Sequence, residues 1–214
     1  ENDKKNEDRA EQVQPDNADS QSQLDGQDGQ VRRKPEKQPY SWLKNYDFNS
    51  VGTKLPDEIA TLAKTCRAGL LLNLDARKVL WRKNEDTPLP IASLTKMMTA
   101  LLVADQVKNH PEISYQTKVK VTRNASGIGG SQVWLDPRET FTVDELLKCV
   151  MIHSANDAAF MLAQFFGRGD VDNFIEQMNQ AAKELGLEHA RFFNPHGLDD
   201  DNKRKTNQAA AWEV

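Results

Sequence analysis

The chain has 214 residues, and its 28 Lys and Arg against 32 Asp and Glu leave a formal net charge of −4. That length holds one domain of ordinary size, or one domain with a tail, and the weak acidity speaks against a nucleic-acid partner. No run of about 18 apolar residues is present to span a membrane, and two cysteines are too few for a disulfide-dense scaffold or a four-cysteine zinc site.

Composition changes along the chain. Residues 1–40 hold only six apolar side chains, and Glu1–Gln30 carries nine acids against three bases. Such a segment cannot bury enough apolar surface to offset its chain entropy, so residues 1–45 are expected to be a disordered acidic tether. An electrostatic arm that touches a partner is the functional alternative. The chain starts at Glu1 rather than Met, which reads as a processed or cut sequence.

Residues 46–214 read as globular. Pro56–Thr65 predicts a short helix with Asp57 and Glu58 in its first turn. Gly69–Leu74 and Lys78–Trp81 flank Asp75-Ala76-Arg77, which predicts strand, tight turn, strand. Leu94, Met97, Met98, Leu101 and Leu102 fall at helical spacing. Thr117–Thr122 alternates Lys and Val and predicts a half-exposed strand. Three amphipathic helices follow. Val143, Leu146, Leu147, Val150 and Met151 mark the first; Ala158, Met161, Leu162, Phe165 and Phe166 the second; Val171 to Leu185 the third, stopped by Gly186.

Reactive residue types gather at the start of the helix after Pro90. Ser93-Leu94-Thr95-Lys96 is an S-x-x-K, and three residues make about one helical turn, so hydroxyl and amine share a face. A serine becomes a nucleophile when a base takes its proton, and a lysine serves as that base only when neutral, a state favoured by burial or nearby positive charge. Taken alone, Ser93 reads first as a helix-capping serine. The spacing occurs twice, but Ser41-Trp42-Leu43-Lys44 lies beside the tether without a helical pattern behind it and is read as chance. Ser154-Ala155-Asn156 sits between two predicted helices, 61 residues after Ser93. There a Ser can relay a proton and an Asn can hold a substrate amide, and Asp157 suits the N-terminus of the helix that follows.

Asn194-Pro195-His196-Gly197-Leu198 completes a set in order with Ser93–Lys96 and Ser154–Asn156. With Pro90–Leu102, Gly129-Gly130-Ser131 and Ser154–Ala159, the chain from about Ala68 to Asp201 resembles the serine D-Ala-D-Ala carboxypeptidases. These are the low-molecular-mass penicillin-binding proteins of peptidase family S11. The resemblance implies an α/β fold of the beta-lactamase/transpeptidase-like type, an antiparallel sheet flanked by helices. It implies Ser93 as nucleophile, Lys96 as general base, Ser154 as proton relay and Asn156 as the residue that orients the substrate. Gly130 and Ser131 would line the cleft, and His196 would be a structural turn residue. The implied substrate is a peptidoglycan stem peptide ending in D-Ala-D-Ala. Beta-lactams would acylate the same serine, and the compartment would be the periplasm or the extracellular cell envelope.

The family pattern also requires a Lys-Thr-Gly motif on a strand, roughly a hundred residues after S-x-N. Lys205-Thr206-Asn207 matches only by letters, 51 residues after Ser154 and without a strand-like apolar run. The chain therefore reads as the N-terminal portion of a catalytic domain, with an open sheet edge. An inactive wall-binding fragment, an endopeptidase and a beta-lactamase are the competing readings. The last needs a deacylating Glu, and the surroundings of Glu188 do not match one. The four histidines lack metal-ligand spacing, so no metal or cofactor is expected. Cys66 and Cys149 are read as two buried free thiols, with a disulfide as the alternative.

Overall fold

The computed structural model describes residues 57–76, 78–199 and 205–214. The predicted tether, Pro56 and the Ser41–Lys44 motif lie outside the described residues. The expected hairpin forms. Strand β1 (Gly69–Asn73) pairs antiparallel with β2 (Lys78–Lys83), with a bulge between Leu71 and Leu72. The Asn73 side chain closes its turn by accepting the Ala76 N–H at 2.8 Å. Helix α1 (Asp57–Thr65) precedes it, and its last turn is tied to the hairpin, because the Lys83 amine donates to the Ala63 and Cys66 carbonyls.

The helical block holds the core. Helix α2 (Thr95–Asn109) follows a single 3-10 turn at Ala92–Leu94. Helix α3 (Arg123–Ser126) is one turn, capped by the Thr122 hydroxyl. Helix α4 (Val143–His153) starts in a capping box, where Thr142 and Glu145 satisfy each other's backbone N–H groups. Helix α5 (Asn156–Phe166) buries eight of its 11 residues and is the central helix, packed by α2, α3, α4 and α6. Its alanines 158, 159 and 163 permit that close approach on several sides. Helix α6 (Val171–Leu185) turns Phe174, Met178 and Ala182 inward at i, i+4, i+8 and ends at Gly186, whose φ of +76° is the left-handed stop predicted from sequence.

The sheet departs from expectation in three ways. Strand β4 covers only Lys118–Lys120, because Thr122 turns its hydroxyl to cap α3; the partner of β4 is β5 (Thr140–Thr142), which had no alternating pattern to announce it. A two-residue strand β3 (Leu89–Pro90) pairs antiparallel with β6 (Gln208–Ala209). That pairing carries the fold past Asp201, where the sequence resemblance had faded. Among the described residues the strands form three separate two-stranded antiparallel sheets. Both cysteines are free, but the expectation of two buried thiols is corrected. Cys66 is exposed in the loop after α1, and Cys149 is half-buried on α4. Among the described residues no helix is long and apolar enough to cross a membrane, and none form a group of three possible metal ligands.

Candidate active site

The Ser93–Lys96 spacing does what one helical turn dictates. Ser93 lies in the 3-10 turn and is exposed, while Lys96 begins α2 proper and is only 3% exposed. Its Nζ donates to three oxygens: Ser93 Oγ at 3.2 Å, Asn156 Oδ1 at 2.8 Å and the His196 carbonyl at 2.7 Å. An ammonium has three N–H groups and finds three acceptors. Burial nevertheless pulls its pKa from 10.5 to about 8. The neutral amine keeps two N–H groups and one lone pair. With Asn156 and His196 holding the two donors, the lone pair is left for the Ser93 hydroxyl. This is the geometry of a serine with an internal base.

Asn156 reaches that amine from the first turn of α5. Its backbone N–H donates to the Ser131 carbonyl at 2.7 Å, and its Nδ2 donates to the Gly129 carbonyl at 2.8 Å. Gly130 sits between them at φ +81°, where a Cβ would lie 2.6 Å from Asn156 Nδ2. The glycine is thus what allows the loop to press on the carboxamide. The Ser131 hydroxyl donates to the His153 carbonyl at 3.0 Å, which ties the same loop to the end of α4. Asp157, fully buried, holds the loop farther along by accepting the N–H groups of Val133 and Leu135. Its predicted place at the start of a helix is correct, but its carboxylate also serves this second segment.

Ser154 stands apart from this network. It is half-buried at the C-cap of α4, in the left-handed region at φ +58°. It is not among the three partners of the Lys96 amine. The structure therefore joins Ser93, Lys96, Asn156 and the Gly130–Ser131 loop directly, and places Ser154 two residues from Asn156 at the same helix junction without a bond to the base.

The Asn194–Leu198 segment forms the other wall. The Asn194 side chain accepts the N–H groups of His196 and Gly197, and the Thr99 hydroxyl donates to the Pro195 carbonyl at 2.7 Å. Gly197 has φ +85°, and a Cβ there would lie 1.9 Å from the Ala92 carbonyl oxygen. Ala92 itself has φ +43°, so the backbone is strained immediately before the serine. The His196 ring is buried. Burial, then the nearby Lys96 charge, lowers its pKa to about 4, and Nδ1 accepts the Leu198 N–H at 3.1 Å. It is a neutral structural ring that lends its backbone carbonyl to the base, in keeping with its reading as a turn residue.

Sequence reasoning missed Asn207. It is 2% exposed, and its carboxamide bonds both to this wall and to the Thr95 hydroxyl. No motif marks it. Lys205 beside it is exposed, and β6 begins only at Gln208.

The chain is similar to proteins already known. Residues 57–212 match the peptidase S11 family model, described as D-alanyl-D-alanine carboxypeptidase. The chain is 40% identical over 140 residues to D-alanyl-D-alanine carboxypeptidase DacF of Bacillus subtilis (strain 168), a match covering 65% of this chain and 36% of that protein. The crystal structure of the carboxypeptidase DacD from Francisella tularensis superimposes with a TM-score of 0.64 at 30% identity, over 70% of this chain and 35% of that one. Penicillin-binding protein D2 from Listeria monocytogenes, solved in its ampicillin-bound form, gives a TM-score of 0.58 at 31% identity, over 69% and 57%. The chain spans about a third of the length of the curated carboxypeptidases it matches.

Proposed function

The chain belongs to the D-alanyl-D-alanine carboxypeptidase family, peptidase S11, and from that membership we propose that it carries the nucleophile half of a serine D-Ala-D-Ala carboxypeptidase site acting on peptidoglycan stem peptides in the cell envelope. The observation that carries this reading is the buried Lys96 amine, brought to about pKa 8 and placed 3.2 Å from Ser93 Oγ. At pH 7 a group of that pKa is neutral about one time in ten. That population suffices for a general base whose plateau lies somewhat higher.

In this reading Lys96 Nζ takes the Ser93 proton as Oγ attacks the carbonyl carbon of the penultimate D-alanine. The C–O bond forms, the amide C–N bond breaks, and the departing D-alanine amine receives a proton through Ser154. Asn156 fixes the substrate backbone through its carboxamide, and the Gly130–Ser131 loop lines the cleft. Water then attacks the ester, and Ser93 recovers its proton. A beta-lactam follows the same first step. Its ring amide opens onto Ser93, and its amine remains attached, so the adduct persists.

Incubation with benzylpenicillin, intact mass measurement and peptide mapping test this. The expected outcome is a penicilloyl adduct on Ser93, absent in Ser93→Ala. Slow release fits a carboxypeptidase, and rapid turnover would favour a beta-lactamase. Labelling retained in Ser93→Ala would sink the assignment. No label on folded wild-type chain would favour an inactive wall-binding fragment.

A further inference from the structure

Three oxygens hold the Lys96 amine, and they differ in how they are supported. Ser93 Oγ is one helical turn away. Asn156 Oδ1 projects from the first turn of α5. The third, the His196 carbonyl, belongs to a segment with no regular secondary structure between Phe193 and Asp199. Something must fix that segment against α2, because a carbonyl that drifts by 1 Å no longer accepts a hydrogen bond.

The Asn207 carboxamide is placed to do so. Its Oδ1 accepts the N–H groups of Phe193 at 2.7 Å and Asn194 at 3.2 Å. Its Nδ2 donates to the Asn194 carbonyl at 2.8 Å and to Thr95 Oγ1 at 2.9 Å. Its backbone carbonyl accepts the Ile91 N–H at 3.1 Å. Two donors and two lone pairs are thus all used, and the side chain is 2% exposed. One end of the amide grips the Phe193–Asn194 backbone. The other grips Thr95, the residue before Lys96. Its main chain holds Ile91, just before the strained Ala92.

We infer that Asn207 is a positioning residue, which sets the distance between the His196 carbonyl and the Lys96 amine and so keeps the amine's lone pair directed at Ser93. This rests on the reading of Lys96 as base. With the link cut, the carbonyl and helix turn separate, water reaches the amine, and one of its N–H groups competes for the Ser93 side. The amine then regains basicity toward that of an exposed lysine. The titratable residue in contact with it is His196 on the loop; Asp157, next to Asn156 on α5, turns its carboxylate to Val133, Leu135 and its own helix. Changing Asn207 substitutes neither group and adds or removes no charge, so a shift in the lysine reports the changed burial and hydrogen bonding of its amine.

Two variants test this on the full chain, with folding followed by near-ultraviolet circular dichroism. Asn207→Ala removes the whole link, and Thr95→Val removes only its α2 end at nearly constant volume. Two readouts are taken: the rate of penicilloyl-adduct formation against pH, and the pKa of Lys96 from the 13C shift of its Cε. Asn207→Ala is expected to slow acylation at pH 7 by about 10- to 100-fold and to raise both the kinetic midpoint and the NMR pKa by about one pH unit. Thr95→Val should move both in the same direction by less, about threefold in rate, and it carries the test if Asn207→Ala does not fold. A loss of thermal stability with midpoint and lysine pKa unmoved would reduce Asn207 to a structural residue and overturn the inference. A wild-type chain that never acylates Ser93, or a Lys96 titrating near 10.5, would overturn the underlying reading and the inference with it.

Discussion

The Ser93–Lys96 turn is held from two sides, and the two sides work differently. On one, residues 129–157 present a buried asparagine whose own carboxamide contacts the lysine amine. On the other, residues 193–199 and 205–210 also present a buried asparagine, but the contact with the amine is a backbone carbonyl. A side-chain contact demands a residue type, and so it leaves a letter in the sequence. A carbonyl can come from any residue. The side that uses it records its demand elsewhere, in the glycine that lets the chain approach and in the amide that holds it there.

Glycine substitutions separate the two sides most sharply. At Gly197 a Cβ would lie 1.9 Å from a backbone oxygen, that of Ala92, and the φ is +85°. Neither the carbonyl nor the left-handed backbone can yield without moving the turn that bears Ser93. Gly197→Ala is therefore expected to lower unfolding free energy by about 3–5 kcal/mol, from φ strain plus a backbone clash. Urea denaturation of wild type and variant measures it. A loss below about 1 kcal/mol would mean that the second wall is soft and cannot position a carbonyl.

The same contrast decides what could be read in advance. Helices α4, α5 and α6 were legible because their buried positions recur at helical spacing, and α6 also announces its stop with Gly186. Helix α2 forms as its apolar spacing predicts, but Leu94, Met97 and Leu101 are exposed and its buried face includes Thr95, Lys96 and Thr99. The hairpin was legible from its apolar run and turn. Ser93, Lys96 and Asn156 were legible because each contributes a functional group at a motif spacing. Strand β5 was not, since Thr140-Phe141-Thr142 is too short to show a period, and neither was β6, which is two residues long. Ser154 was singled out by the same motif as Asn156, yet its hydroxyl lies outside the Lys96 network. The motif indicated a shared helix junction, and Ser154 stands there as the left-handed C-cap of α4. Asn207 was illegible because its partners, Phe193, Asn194 and Thr95, are brought to it only by the fold.

The lysine titration reads both sides together. The amine's pKa is lowered by burial to about 8, so below that value it is mostly protonated and cannot accept the Ser93 proton. Acylation should rise with pH from 6, gain about tenfold between pH 7 and its plateau, and level off above about pH 9. A profile still climbing at pH 10 would show an exposed lysine. A flat one from pH 6 to 9 would show that Lys96 is not the group that titrates.

Gly130→Ala sharpens the comparison with the smallest effect. The φ of +81° is unfavourable for alanine, as at Gly197, but the nearest atom is different in kind. It is Asn156 Nδ2, at 2.6 Å from a built Cβ, the far end of a side chain that can turn. The stability loss should be only about 1–2 kcal/mol, mostly backbone strain. Acylation should suffer more than that figure suggests. To make room, the carboxamide must leave the Gly129 carbonyl and with it the Lys96 amine, which then lacks one of its two fixed acceptors. A fall in acylation rate of about tenfold, with unfolding changed little, is the expected pattern. At Gly197 the order reverses, with stability lost first. If Gly130→Ala instead unfolded the chain as Gly197→Ala does, the Gly129–Ser131 loop would be a structural wall like the other, and its assignment to the lining of the cleft would fall.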